Sequence, residues 1–188
     1  MRGIVKLVML SAALSLNGCG DRAGEGSTAT DTAPTTAAAI PQLTDGNIVA
    51  LLSNIHQAEL SLAATARTGA ASDAVREYAA RMIEEHGAMK RALDSLVTAK
   101  AFVSELPAGT EPLQATIAGR ADTLLHTTGR STDIAYMDGE AKAHGANLEL
   151  LNRYADAARD EDLRALIRKT IPTLRLHQDR AIDILRGL

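Results

Sequence analysis

Three stretches of this chain place their seam residues at steps that alternate between four and three. Val75, Ala79, Met82, His86, Met89, Leu93 and Leu96 form the first; Ile134, Met137, Ala141, His144, Leu148, Leu151 and Ala155 the second; Leu163, Ile167, Thr170, Leu174, His177, Ala181 and Ile184 the third. A stripe with that step stays on one face only when the backbone turns about once every 3.6 residues, so each stretch is a helix packed along a narrow seam. A strand would need strict alternation instead. A fourth segment carries Ile48, Leu52, Ile55, Glu59 and Leu62, and four such helices are the natural membership of a bundle. Composition points the same way. The chain is 46% hydrophobic but only 2% aromatic, with no Trp and one Phe, so it lacks the residues that fill pleated surfaces. The expected class is all-α.

Capping residues bound the helices. Thr44 or Asp45 opens the first, which runs to about Thr68 before Gly69. Ser72 caps the second, which ends near Phe102; Ser131 caps the third; Asp160 caps the fourth, which continues almost to Leu188. A shorter helix over about 111–128 lies between the second and third, with Pro107 and Pro112 bounding the break before it and Gly129 ending it. Pro172 predicts a kink near Lys169. The connection between helices two and three is long enough to cross the bundle lengthwise, as in ferritin-like folds. The expected domain is therefore a ferritin-like four-helix bundle over 43–188, with an additional short helix in the helix 2 to helix 3 connection.

The start of the chain reads as an address. Arg2 and Lys6 precede an apolar run over 7–16, and the small residue Gly18 stands directly before Cys19. This is the pattern of a secretory signal over 1–18, too short to remain as a membrane span. Leu16-Asn17-Gly18-Cys19 resembles a bacterial lipobox, which implies diacylglycerol on Cys19, the only cysteine of the chain. An ordinary signal peptide with an incidental cysteine is the alternative. Acyl chains contribute about 0.8 kcal/mol per buried methylene, and two or three of them anchor stably. Gly20 after Cys19 implies, by resemblance to lipoprotein sorting, the outer membrane with the domain facing the periplasm. Residues 20–42 are Gly, Ser, Thr, Ala and Pro without periodicity, a flexible tether. The expected partners are the membrane through the lipid anchor and a protein of the envelope. A net charge of -3 and the scarcity of aromatics leave neither a phosphate-binding surface nor a stacking platform, so nucleic acid is excluded.

Each of the four long segments carries one histidine near its middle: His56, His86, His144 and His177. Midpoints share one depth whichever way each helix runs, so the four side chains belong to one layer. Carboxylates accompany them: Glu59, Glu85, Glu140 and Asp179. Imidazoles and carboxylates projecting inward from facing helices are how bundles hold Fe, Zn, Cu or Mn. The di-iron signature Glu-x-x-His is absent, because Ile83, Ala141 and Leu174 stand three residues before the seam histidines. The competing reading is a buried polar layer that sets helix register. A redox or peroxidase-like enzyme is a third, weakened by the missing Glu-x-x-His pairs. His126 is expected to face solvent, and Tyr78, Tyr136 and Tyr154 to be core or rim. No phosphate-binding loop, nucleophile elbow or catalytic triad is visible.

The stretch Tyr78-Ala-Ala-Arg-Met-Ile-Glu-Glu-His86, the run Ile134-Ala-Tyr-Met137 leading to His144, and Ile171-Pro172-Thr-Leu174-x-x-His177 resemble the bacterial exported family called domain of unknown function 4142, over about 43–186. The resemblance implies a ferritin-like bundle, often labelled an outer-membrane protein, with no established activity. It also implies that Glu59, His86, His144 and His177 are the metal ligands, with Glu85 and Glu140 behind them. The family pattern commonly has Asn at the position of His56, which makes His56 secondary.

Overall fold

The structure, a computed structural model, describes residues 43–188; the signal segment, Cys19 and the tether lie outside the described residues. Those residues form five helices: α1 Asp45–Gly69, α2 Asp73–Lys100, α3 Glu111–Leu125, α4 Arg130–Ala157 and α5 Glu161–Gly187. No strand and no helix long and apolar enough to cross a membrane occurs among them. The expected all-α bundle with a short extra helix is what forms.

Local chemistry sets the boundaries. Thr44 Oγ1 accepts from the Asn47 N–H at 3.1 Å while Asn47 Oδ1 accepts from the Thr44 N–H at 3.0 Å, a reciprocal cap on α1. Asp160 Oδ1 accepts from the Leu163 N–H at 3.0 Å and starts α5. Ser72 precedes α2 without a side-chain cap. The buried carboxylate of Asp133 accepts from the Ala71 and Ser72 N–H groups at 3.0 and 3.1 Å instead. Two expectations fail here. Gly129, not Ser131, is the residue before α4, at φ 60°, a conformation natural to glycine, and its N–H donates to Gly69 O at 2.9 Å. Because Asp133 turns inward to serve the α1–α2 turn, Ile134 is carried outward and is 43% exposed rather than on the seam. Pro172 leaves Arg168 without its usual helical donor, yet α5 is continuous through it.

The end contacts fix the connectivity. Gly129 meets Gly69 at one end. At the other, the Asp45 carboxylate accepts from the Arg159 and Asp160 N–H groups at 2.8 and 3.1 Å, and the Glu105 N–H donates to Gly46 O at 3.4 Å. Hence α1 and α5 run one way and α2 and α4 the other. The chain leaves α2 at one end and enters α4 at the opposite end, so α3 climbs the length of the bundle and packs against α1 and α4. Among the described residues, nothing covers the groove between α2 and α5 in this way.

The apolar core comes in two clusters. One holds Ile48, Leu52, Leu93, Leu151, Ile167 and Leu174; the other holds Leu62, Val75, Met82, Tyr136, Met137 and Ala181. On each long helix the buried His falls between its contributions to the two. A polar layer is therefore sealed above and below by hydrocarbon, where an unpaired polar atom is costly.

Candidate metal centre

His86 from α2, His144 from α4 and His177 from α5 meet in that layer. Their ring centroids lie 5.6, 5.4 and 5.2 Å apart, and one nitrogen from each lies within 4.8 Å of the others. All three rings are buried. Each uses one nitrogen on a neighbour and leaves the other without a hydrogen-bond partner among the described residues: His86 Nε2, His144 Nε2 and His177 Nδ1.

The partners determine what those free nitrogens are. His144 Nδ1 lies 3.0 Å from Glu140 O, which only accepts, so Nδ1 holds the proton and Nε2 of the neutral ring is a bare lone pair. His177 Nε2 faces the Glu85 carboxylate, again an acceptor, so Nε2 holds a proton and Nδ1 is a lone pair in the neutral ring. His86 Nδ1 lies 3.1 Å from His56 Nδ1; when His86 donates there, His86 Nε2 is free as well. Burial drives His56 and His144 down to about 4, against the opposing pull of Glu59. Burial holds His86 well below the ordinary range, aided by the positive charge that His56, His144 or His177 would bring. At neutral pH His56, His86 and His144 are uncharged.

A second group shares the layer. Arg120 reaches in from α3, donates from Nη1 to Glu59 Oε1 at 3.1 Å, and donates from Nη2 to Glu140 Oε1. Glu59 and Glu140 are buried, and Arg120 is nearly so. Arg120 passes beside Gly139 on α4, where a Cβ would lie 3.2 Å from Arg120 Nε. Burial raises the Glu59 carboxyl, but Arg120 and His144 outweigh it and the net direction is down. Burial and then Glu59 push Glu140 well up despite Arg120. The guanidinium, penalised by burial but held by both carboxylates, stays charged. One cation therefore faces two carboxyl groups, and Glu140 is the more readily protonated of the two. Tyr136 OH, buried without a partner, is also pushed up by burial and by Glu140.

The structure thus brings together His86, His144 and His177 of the expected ligand set and places Glu59 with Arg120 instead. His56 stands behind His86, and Glu85 stands behind His177 from across the α2/α5 groove rather than beside its chain neighbour His86. Glu140 serves two groups: its carbonyl orients His144, and its Oε2 lies 3.4 Å from His144 Nδ1. Asp179 and His126 are exposed. Sequence reasoning missed Arg120, although two acidic residues on inward faces, Glu59 and Glu140, already called for a buried cation. The α2/α5 groove, about 580 Å³, is lined by Tyr78, Arg81, Glu85 and His177 among others and gives a route to the layer.

A family model described as Domain of unknown function (DUF4142) matches residues 29–184. No curated protein and no solved structure matches the chain. The chain belongs to the domain of unknown function 4142 family.

Proposed function

We propose that this member of the family binds one transition-metal ion, zinc, copper or iron, between His86, His144 and His177. One observation carries the reading: three buried imidazoles turn nitrogens without a hydrogen-bond partner toward one another while their other nitrogens are held by His56, Glu140 O and Glu85. Uncompensated lone pairs facing each other in hydrocarbon are unfavourable, and a cation resolves them. Held rear nitrogens are the usual support of metal-ligating histidine, because they fix tautomer and ring orientation and raise basicity. Imidazole suits zinc, copper and iron. Tetrahedral ligation at about 2.0–2.1 Å puts ligand nitrogens roughly 3.4 Å apart, so the rings close on the ion by small rotations. Three protein ligands also leave a coordination position for water. We assign binding, for sensing, storage or stress protection, rather than a reaction.

The same reading places the domain in the cell envelope, anchored by acylated Cys19 to the outer membrane and facing the periplasm through the tether over 20–42. The sequence of 1–42 supports this, and the lengthwise crossover of α3 supports kinship with ferritin-like bundles. The alternative, a layer that only sets register, is disfavoured because a register device needs its polar atoms satisfied, and here three ring nitrogens are not.

Elemental analysis of the chain purified without tag or chelator tests the metal reading. About one equivalent of metal is expected, and its loss in His86→Ala/His144→Ala. A chain that stays metal-free even after incubation with zinc, copper and iron salts sinks it.

A further inference from the structure

We infer that Glu59 and Glu140 form a second divalent-cation position whose place Arg120 fills, so that the chain holds one metal because its second cation is a guanidinium carried on α3. The inference rests on the metal reading of the His group. Its own support is geometric. The two carboxylates come from facing helices, both are buried, and each offers one oxygen to Arg120 and leaves Oε2 without a partner. A guanidinium matches one ionised carboxylate of the two, and a divalent cation would match both.

The position adjoins the first. His144 turns Nε2 to the His group while Nδ1 lies 3.4 Å from Glu140 Oε2, so a single imidazole separates the two. Arg120 is also the side chain best able to leave. It belongs to α3, where Leu124 is the one buried residue, while each bundle helix buries six or more. Arg120 enters beside Gly139, along a groove of about 680 Å³ that it lines with Gly119, Tyr136 and Lys142. Carboxylate oxygen suits zinc at about 2.0–2.2 Å. Removal of the guanidinium therefore opens a site rather than merely a defect.

Zinc stoichiometry of the full chain tests this, measured after equilibration with excess Zn²⁺ and dialysis for the native protein, Arg120→Met and Arg120→Met/Glu140→Gln. One, two and one equivalents are expected. Native at one with Arg120→Met folded and also at one overturns the inference and leaves the metal reading standing; native at two overturns it as well, since Arg120 would then exclude nothing. Native at zero sinks the metal reading, and Arg120→Met then decides the inference alone: one equivalent supports it and zero overturns it. Should Arg120→Met be unfolded without metal, helical circular dichroism is followed as Zn²⁺ is added. Recovery of the native signal supports the inference, and failure to recover at Zn²⁺ concentrations where the native chain stays helical overturns it.

Discussion

The His group and the Glu59–Arg120–Glu140 triad lie in one buried layer, yet they meet burial by opposite means. The histidines shed charge: burial holds His56 and His144 near 4 and His86 well down, and the nitrogens that His86, His144 and His177 turn inward have no hydrogen-bond partner among the described residues. The triad keeps charge and answers it from within, with a guanidinium on two carboxylates. A group whose charges are met internally is a structural element; a group of converging, unpartnered nitrogens is waiting for something from outside. That difference separates what holds the layer together from what the layer holds.

The largest expected effect comes from breaking the self-sufficient half. Arg120→Ala in metal-free protein leaves the buried Glu59 and Glu140 carboxyl groups without their cation, and losing one partner of a buried ion pair costs about 3–5 kcal/mol. Urea unfolding of chelator-treated protein measures it. A loss below about 1 kcal/mol would mean that water reaches the carboxylates and that the triad is not sealed.

Acid should break the neutral half first. The folded-state values of His56 and His144 lie near 4 against an ordinary 6.5, so between those limits the unfolded chain binds protons that the folded chain refuses. The histidine contribution is full above about pH 6.5 and falls as pH drops toward 4, by up to roughly 3 kcal/mol for each histidine at ~1.4 kcal/mol per pH unit, against an opposite trend from the raised Glu140 carboxyl. The Glu59 carboxyl, held below its ordinary range, titrates later. Unfolding free energy of metal-free protein measured from pH 7.5 to 5 checks the window. A flat profile there would show that the rings are already charged or hydrated.

How far each half was legible in sequence follows from where its residues come from. The His layer was legible because every member sits on a long helix at mid-length, and depth in a bundle is set by distance along the helix alone. The pairing of Glu85 with His177 was not. Glu85 lies about 100° around α2 from its neighbour His86, which correctly removed it from the ligand sphere of His86 but said nothing of what it faces across the groove. Arg120 was invisible for a stronger reason. It arrives from the crossover, whose height and facing are set by the end contacts of Glu105 with Gly46 and Gly129 with Gly69, and no periodicity encodes those. Ile134 failed similarly, since a long-range demand on Asp133 rotated the start of α4 out of the register its own pattern suggested.

A smaller change sharpens the role of the held rear nitrogens. Glu85→Gln keeps the shape but replaces an anionic acceptor on His177 Nε2 with a neutral amide, and loss of such a support typically weakens metal binding about 10–100-fold. Because the Glu85 side chain is 34% exposed, metal-free stability should barely move. Competition with a chromophoric chelator gives the affinity, and equal affinities in both proteins would argue that Glu85 does not orient His177 in the bound state.

The smallest stability change is the most discriminating one. His56→Leu/His86→Leu removes a hydrogen-bonded pair together, so neither ring is left facing a vanished partner, and replacing both members of a buried polar pair with apolar groups of similar shape is nearly neutral or stabilising. It also removes His86 Nε2, one of the orphaned atoms. Metal-free protein should therefore unfold at the same urea concentration or a higher one, by about 1 kcal/mol, while metal is lost because only two of the three ring nitrogens remain. A layer kept only for helix register predicts the reverse. Two leucines would then let α1 and α2 slide to other pairings of the apolar clusters, and the unfolding transition would broaden as well as shift downward. Loss of metal together with a sharp, undiminished transition would mean that the chain keeps these imidazoles at some cost to its own stability, as expected of residues retained for what they bind.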